Sequence, residues 1–388
     1  MSGTVTEGRI ARRPEEELPP PVSASRRVWR RLVKHRMAFA AMWVLLLIYA
    51  MTAFAEFIAP YGLASEDRNR AYQPPAVVHV RDHDGAWRMP FVYDWIKESD
   101  TTSLFSAGSS TDTSFGRWLE DKRTRHPIKV LVKGEPYKLL GLFESDVHLF
   151  GVDTGTRFYL LGGDAAGRDL LSRLFFGSRV SLTVGIVALV FVIPLGTLVG
   201  GAAGYFGGKV DTALMWLVET IMAFPTFYLL ITLSGVTAKW EISPTQRYYL
   251  ITLILALFGW AGLSRVIRGM VLSIKEQEYV QAARAAGASD FWIITRHLIP
   301  QTATWVIVSA TISIPGYIYA ESFLSLLGLG VQPPDASWGN MLEPALNVSD
   351  LLLHPWVLAP GVAIVITTVA WNFFGDGLRD AFDARRKV

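Results

Sequence analysis

The stretch Gly207-Gly208-Lys209-Val210 comes nearest to a phosphate-binding loop, and its chemistry fails at two positions. Val210 stands where a Ser or Thr hydroxyl would ligand magnesium, and Ala203 occupies the place of the first glycine. The segment also leaves an apolar run rather than a strand, so the chain is expected to bind no ATP and no cofactor of its own. The seven histidines are dispersed, without the His-Glu-x-x-His spacing that grips zinc. Asp82-His83-Asp84-Gly85 has the side chains for a metal, but a hydrated turn is the preferred reading, and no metal site is assigned. No Gly-x-Ser-x-Gly elbow occurs, and zero cysteines exclude a thiolate nucleophile, a thiolate metal site and a disulfide framework. No catalytic residue is expected.

Other residues carry mechanical rather than covalent chemistry. The run Glu278-Tyr279-Val280-Gln281-Ala282-Ala283-Arg284-Ala285-Ala286-Gly287 begins with helix formers and is dense in small side chains. Gly287 permits a turn, Ser289 or Asp290 can cap a following helix, and Pro300 punctuates the chain. Such a helix buries little surface of its own and lets another protein approach closely, which suits docking. An ordinary amphipathic loop helix is the competing reading. Gly196, Gly200, Gly204 and Gly208 recur at four-residue spacing, a face for close helix packing within the chain or against a partner. Glu219 and Glu321 sit inside apolar runs, where an acid must face protein or a water-filled path. Lining such a path and bonding neighbouring helices both remain open.

The elements that must position these residues are apolar. Of 388 residues, 51% are apolar and 18% charged, and charge is nearly absent from six stretches: 37–55, 181–208, 212–233, 248–264, 305–327 and 356–375. About 20 residues at ~1.5 Å each cover the ~30 Å of hydrocarbon in a bilayer. The expected fold is therefore an all-α membrane protein of six transmembrane helices, the first over 37–58, the others near 181–205, 212–233, 248–266, 303–327 and 356–376. Ala53-Phe54-Ala55 resembles a signal cleavage site, but the long apolar run and the residues before it favour an uncleaved anchor. Lys and Arg crowd the flank 26–36, the loop with Arg265, Arg268, Lys275, Arg284 and Arg296, and the tail with Arg379, Arg385, Arg386 and Lys387. The stretch 328–355 has none, which places both termini in the cytoplasm. A net charge of +3 does not imply nucleic-acid binding, and basic runs beside membrane spans are read as topogenic. Residues 1–36 form a polar cytoplasmic tail, disordered over its Pro-rich start. Residues 59–160 form a small β-rich periplasmic insert, with strands at 128–133 and 157–161 and turns at 134–136 and 151–155. Residues 161–388 hold the other five helices and a cytoplasmic loop over 273–300.

The loop resembles the cytoplasmic EAA loop of importer permeases of the ATP-binding-cassette class, with Ala282, Ala283, Gly287 and Pro300 matching its pattern. Gln281 replaces the glutamate that names it, and His297-Leu298-Ile299 give a looser end. Residues 161–173, with Gly163 in place of a threonine, are similar to the signature of the dipeptide/oligopeptide branch, followed by Gly177, Arg179, Ser181 and Leu182. Ala223-Phe224-Pro225, with Glu219 in place of an aspartate, Ser325 to Gly330, Ser337-Trp338-Gly339 and Phe374 to Asp380 match further motifs in order. The resemblance runs from Leu161 to the end, with the N-terminal anchor, and is specifically to the C-type permease subunit.

This resemblance implies a type I importer permease in the bacterial inner membrane, a non-catalytic subunit. Glu278, Gln281, Ala282, Ala283, Ala286, Gly287 and Pro300 would form the joint with two ATPase subunits, which carry the ATP and magnesium. It further implies a second permease subunit as heterodimer partner and a periplasmic substrate-binding protein. Peptides are the implied cargo, with nickel chelates and peptide-like antibiotics also compatible; Glu219 and Glu321 would attract a peptide amino group. The position of the insert suits docking of the binding protein or the partner permease. Two rival classes are an ion-coupled secondary transporter and a membrane-anchored periplasmic enzyme or sensor.

Overall fold

The computed structural model describes residues 24–82, 85–97, 118–153, 156–237, 240 and 242–383. Helices α1 (Ala24–Lys34) and α2 (Arg36–Ala53) are parted by His35, whose ψ of 90° breaks the ladder and whose ring accepts the Ala38 N–H at 3.1 Å. A single turn, α3 (Ala55–Ile58), then leads into a polar segment. The expected tail lies outside the described residues up to residue 23.

The polar segment holds an antiparallel sheet of β1 (His79–Arg81), β2 (Trp87–Lys97) and β3 (Trp118–Pro127), in the order β1-β2-β3, and a hairpin of β4 (Lys129–Leu139) and β5 (Phe143–Gly151). Phe91, Val92 and Tyr93 are buried at the centre of β2. Asp82 accepts from the Tyr93 hydroxyl at 3.1 Å and pairs with Arg88 and Arg125, so its carboxylate serves the sheet. The neighbouring His83 and Asp84 lie outside the described residues.

Two local expectations are corrected here. Gly134-Glu135-Pro136 is no turn: β4 runs through it with a register irregularity between Lys133 and Tyr137, and the chain reverses at Leu140 and Gly141, both at positive φ. Tertiary contacts override the turn-forming residues. The His148 ring lies so close over Gly134 that a Cβ there would meet it at 2.6 Å. The Glu135 carboxylate accepts from the Gly62 N–H and the Ser65 hydroxyl. Residues 157–161 form no strand. Tyr159 instead gives its hydroxyl to the Gly167 carbonyl at 2.8 Å, while its own carbonyl takes the Ala76 N–H. Thr154 and Gly155, in the other expected turn, lie outside the described residues.

Helix α4 (Leu170–Phe206) starts at Asp169, whose carboxylate accepts the Ser172 N–H at 2.8 Å and its hydroxyl at 2.6 Å. Burial pushes this carboxyl up to about 6. At ~1.5 Å per residue α4 extends about 55 Å, well beyond the hydrocarbon. The apolar run over 212–233 is not one helix but two, α5 (Gly208–Ala223) and α6 (Thr226–Thr237). Pro225 offers no N–H and drives Phe224 into extended backbone at φ −74°, ψ 128°. Then follow α7 (Pro244–Ile274), closed at its start by a Ser243/Gln246 capping box, α8 (Glu278–Ala285), α9 (Asp290–Ile293), a π turn over Ile294–Leu298, α10 (Ile299–Leu326), α11 (Val348–Leu353) and α12 (Ala359–Phe382). Among the described residues five helical stretches are long and apolar enough to cross a membrane: Arg36–Ala53, Leu170–Phe206, Thr245–Ile274, Asp290–Leu326 and Pro355–Phe382.

The core forms where α4 meets α7 and α10, with Leu182, Val192, Trp260, Ala261, Ile314 and Ile318 buried together. Glycine lets α4 and α7 touch. A Cβ on Gly196 would lie 2.8 Å from Leu263, on Gly200 2.3 Å from the Ser264 carbonyl oxygen, and on Gly204 2.8 Å from the Arg268 carbonyl oxygen. Gly208 departs from this face. Gly207 at φ +66° turns the chain out of α4, and Gly208 at φ +53° faces open space at the start of α5.

Candidate functional site

The segment between α7 and α10 turns three aliphatic residues inward and most of its small ones outward, with Phe291 and Trp292 also exposed. Val280, Ile293 and Leu298 are fully buried against Tyr205, Ile267, Val271 and Ile274. Glu278, Gln281, Ala282, Ala286, Gly287 and Pro300 are exposed, and Ala283 is half-buried. Helix α8 ends as its residue types require: Gly287 takes φ +81°, its N–H bonds the Arg284 carbonyl, and the Ala288 N–H reaches back to the Ala283 carbonyl. Ser289 then accepts the Trp292 N–H at 3.3 Å and caps α9. Pro300 follows the π turn, whose wider backbone accommodates a proline ring within a continuing helix.

This projection is braced at its root. The Tyr205 hydroxyl at the end of α4 donates to the Asp290 carboxylate, and the Arg284 guanidinium lies 5.3 Å from the Tyr205 ring centre. That contact with Tyr205 pushes the Arg284 pKa above its ordinary value. Lys275 Nζ donates to the Gly204 carbonyl at 2.9 Å, and the Gln281 amide to the Lys275 carbonyl at 3.0 Å. Arg268 of α7 grips Asp211 of α5 with both guanidinium branches. These contacts join the loop to α4, α7 and α10. Sequence reasoning missed Tyr205, because an aromatic at a span's end reads as an interface anchor and its partner is 85 residues away.

The two membrane acids are not joined in one site. Glu219 is exposed on α5. Glu321 is 1% exposed, and its carboxylate accepts from Ser181 at 2.9 Å, Ser325 at 2.7 Å and Ser322 at 3.4 Å. The Ser181 oxygen in turn accepts the Trp338 N–H at 3.0 Å, and the Ser325 oxygen the Val331 N–H at 3.1 Å. Glu321 thus ties α4 to α10 and to the loop beyond it. Buried among these serines, Glu321 has the contacts of the second of the two open readings, a bond between neighbouring helices. A Glu321→Gln substitution should cost little, since the amide can accept from one serine and donate to another. Glu321→Ala takes the acceptor from three serine hydroxyls and opens a cavity, a loss of roughly 3 kcal/mol. Thermal unfolding of the purified protein in detergent reads the difference, and equal melting temperatures for the two variants would sink this account of Glu321.

Across the molecule, a cleft of about 580 Å³ opens between the residues before α4 and those after α10, lined by Tyr72, Asp164, Arg168, Arg173, Asn340 and Glu343. Its charges are of both signs, and Arg168 and Arg173 both approach the Asp164 carboxylate, at 2.8 and 3.5 Å.

Long apolar helices, a tight glycine seam and a braced projection of small residues define a multi-span membrane protein. Residues 192–388 match the family model for the binding-protein-dependent transport system inner membrane component, and residues 23–75 that for the N-terminal TM domain of oligopeptide transport permease C. The chain belongs to this family of inner-membrane transport components. It is 40% identical over 232 residues to the oligopeptide transport system permease protein OppC of Haemophilus influenzae, covering 59% of this chain and 71% of that one. With the dipeptide transport system permease protein DppC of Bacillus subtilis it shares 30% identity over 367 residues, 94% of this chain and 87% of the relative. A solved structure of the MetNI methionine ABC transporter in an inward-facing conformation is also similar, at 20% identity and TM-score 0.37, over 55% of this chain and 95% of the other.

Proposed function

We propose that this chain is the C-type permease subunit of an ATP-driven importer of peptides or peptide-like solutes. Relatives named for oligopeptide and dipeptide transport support the cargo class. One observation carries the mechanism: a small-residue projection, exposed at Gln281, Ala282 and Ala286, whose root is locked to α4, α7 and α10. In this reading a groove on each of two ATPase subunits receives a permease projection, and ATP-driven closure pushes on it. Rigid roots pass the push into the helices, which rock between outward- and inward-open states. A second permease subunit completes the route, and Glu219, exposed on α5, faces that partner or the path.

Six crossings follow if α5 and α6 together make the third. The excess of Lys and Arg on alternate loops puts both termini and the projection in the cytoplasm. The sheets between α3 and α4 then lie in the periplasm, with the cleft beside Asp164 and Glu343, where a substrate-binding protein docks. The assembled complex in vesicles is expected to accumulate a labelled peptide only with ATP and the binding protein present. Uptake that survives ATP removal would replace this reading with an ion-coupled transporter.

A further inference from the structure

Helix α1 places its residues on two clean arcs. Val28, Trp29, Leu32 and Val33 share one side, and Arg26, Arg27, Arg30, Arg31 and Lys34 the other. The fold uses only part of each. Leu32 is buried, with Val28 beside it, against Ala38 of α2 and Ala381 of α12, whereas Trp29 is 52% and Val33 40% exposed. Arg31 alone turns inward, donating to the Asp383 carbonyl at 2.8 Å and the Ala381 carbonyl at 3.3 Å. Among the described residues Arg26, Arg27, Arg30 and Lys34 make no salt bridge and are exposed. Half an apolar stripe and four cations are left over.

Their position decides what covers them. His35 is the only residue between α1 and α2, a stretch that can cross a membrane, so α1 is held at the boundary where that crossing starts. A helix there meets acyl chains on one side and headgroups on the other. Its lack of any acidic residue selects negative headgroups.

We propose that α1 is a docking helix for anionic phospholipid, with Trp29 and Val33 set into the acyl boundary and Arg26, Arg30 and Lys34 on the lipid phosphates. Arg27 adds to the field from the far side of the same face. The contact fixes the outer edge of the α2–α12 pair against the leaflet, and it depends on lipid charge rather than on transport.

The test uses the full chain in its complex, in vesicles of phosphatidylcholine with about 20 mol % phosphatidylglycerol, a fraction that gives a negative surface. Bromines are placed either on the phosphatidylglycerol chains or on an equal share of phosphatidylcholine. Subtracting the Trp29→Phe variant isolates the Trp29 fluorescence. Quenching by brominated phosphatidylglycerol should exceed that by brominated phosphatidylcholine about twofold or more, and salt of about 0.5 M should shrink the excess by screening. The triple variant Arg26→Gln, Arg30→Gln, Lys34→Gln should lose the excess and keep the quenching. Equal quenching by the two lipids in the native chain, or none by either, overturns the proposal. No outcome depends on uptake, so failure here leaves the transport reading standing, and the reverse.

Discussion

Placing a glutamate at Ala282 should reduce ATP-driven uptake by about a hundredfold or more while the chain still inserts and assembles with its partner permease. Ala282 lies on the exposed face of α8, so the substitution disturbs nothing inside this subunit. Helix propensity changes little between Ala and Glu, by a few tenths of a kcal/mol. What changes is the docked state: an unpaired charge pressed into a protein groove costs about 3–5 kcal/mol, and each 1.4 kcal/mol is tenfold in an equilibrium. The ATPase rate of the complex and the amount of ATPase retained on the permease pair separate lost docking from lost folding. Undiminished uptake by Ala282→Glu would mean that this face of α8 touches no partner. Gly287→Ala should act differently, because φ there is +81° but the space around it is open, so only about 1 kcal/mol of backbone strain is added.

The second large effect is expected at the seam of α4 and α7. Gly200→Leu should remove most folded protein, because even the first added carbon would lie 2.3 Å from the Ser264 carbonyl oxygen and 2.9 Å from Ile267. The obstacle is backbone, which cannot rotate away. Overpacking a core typically costs about 1–3 kcal/mol, and separating two long helices costs more. The adjacent Gly201→Ala is the control. A Cβ there meets nothing within 4 Å, and alanine in place of glycine favours a helix by up to about 1 kcal/mol. Membrane yield and melting temperature should therefore collapse for Gly200→Leu and hold or rise for Gly201→Ala. Similar behaviour of the two would remove the close seam from the account.

Much of this was legible before any coordinates. Uncharged runs long enough to span lipid mark the membrane class, and the motif order from Leu161 onward marks the family. The failures have physical causes. Averaging hydropathy over 212–233 hides Pro225, which divides the run into two helices. Turn chemistry at Gly134 was outvoted by a histidine ring and two hydrogen bonds to residues far away in sequence. For Glu321 the sequence left two readings open, lining a path or bonding neighbouring helices, because its serine partners come partly from another helix: Ser181 lies 140 residues away. The projection itself was visible in its alanines and glycine. Its bracing by Tyr205 was not, since a contact across 85 residues leaves no local pattern.

That projection is the centre of the account, and the chain offers a direct way to observe it. With no native cysteine, Ala282→Cys carries the one thiol of the subunit. The rate at which a water-soluble maleimide modifies it is to be compared between the permease pair alone and the complete complex, with a short bifunctional crosslinker run in parallel. Slow modification in the complete complex, fast modification without the ATPases, and a crosslink to an ATPase subunit are predicted. Equal rates in both, with no crosslink, would contradict the claim that this loop receives the motor's push.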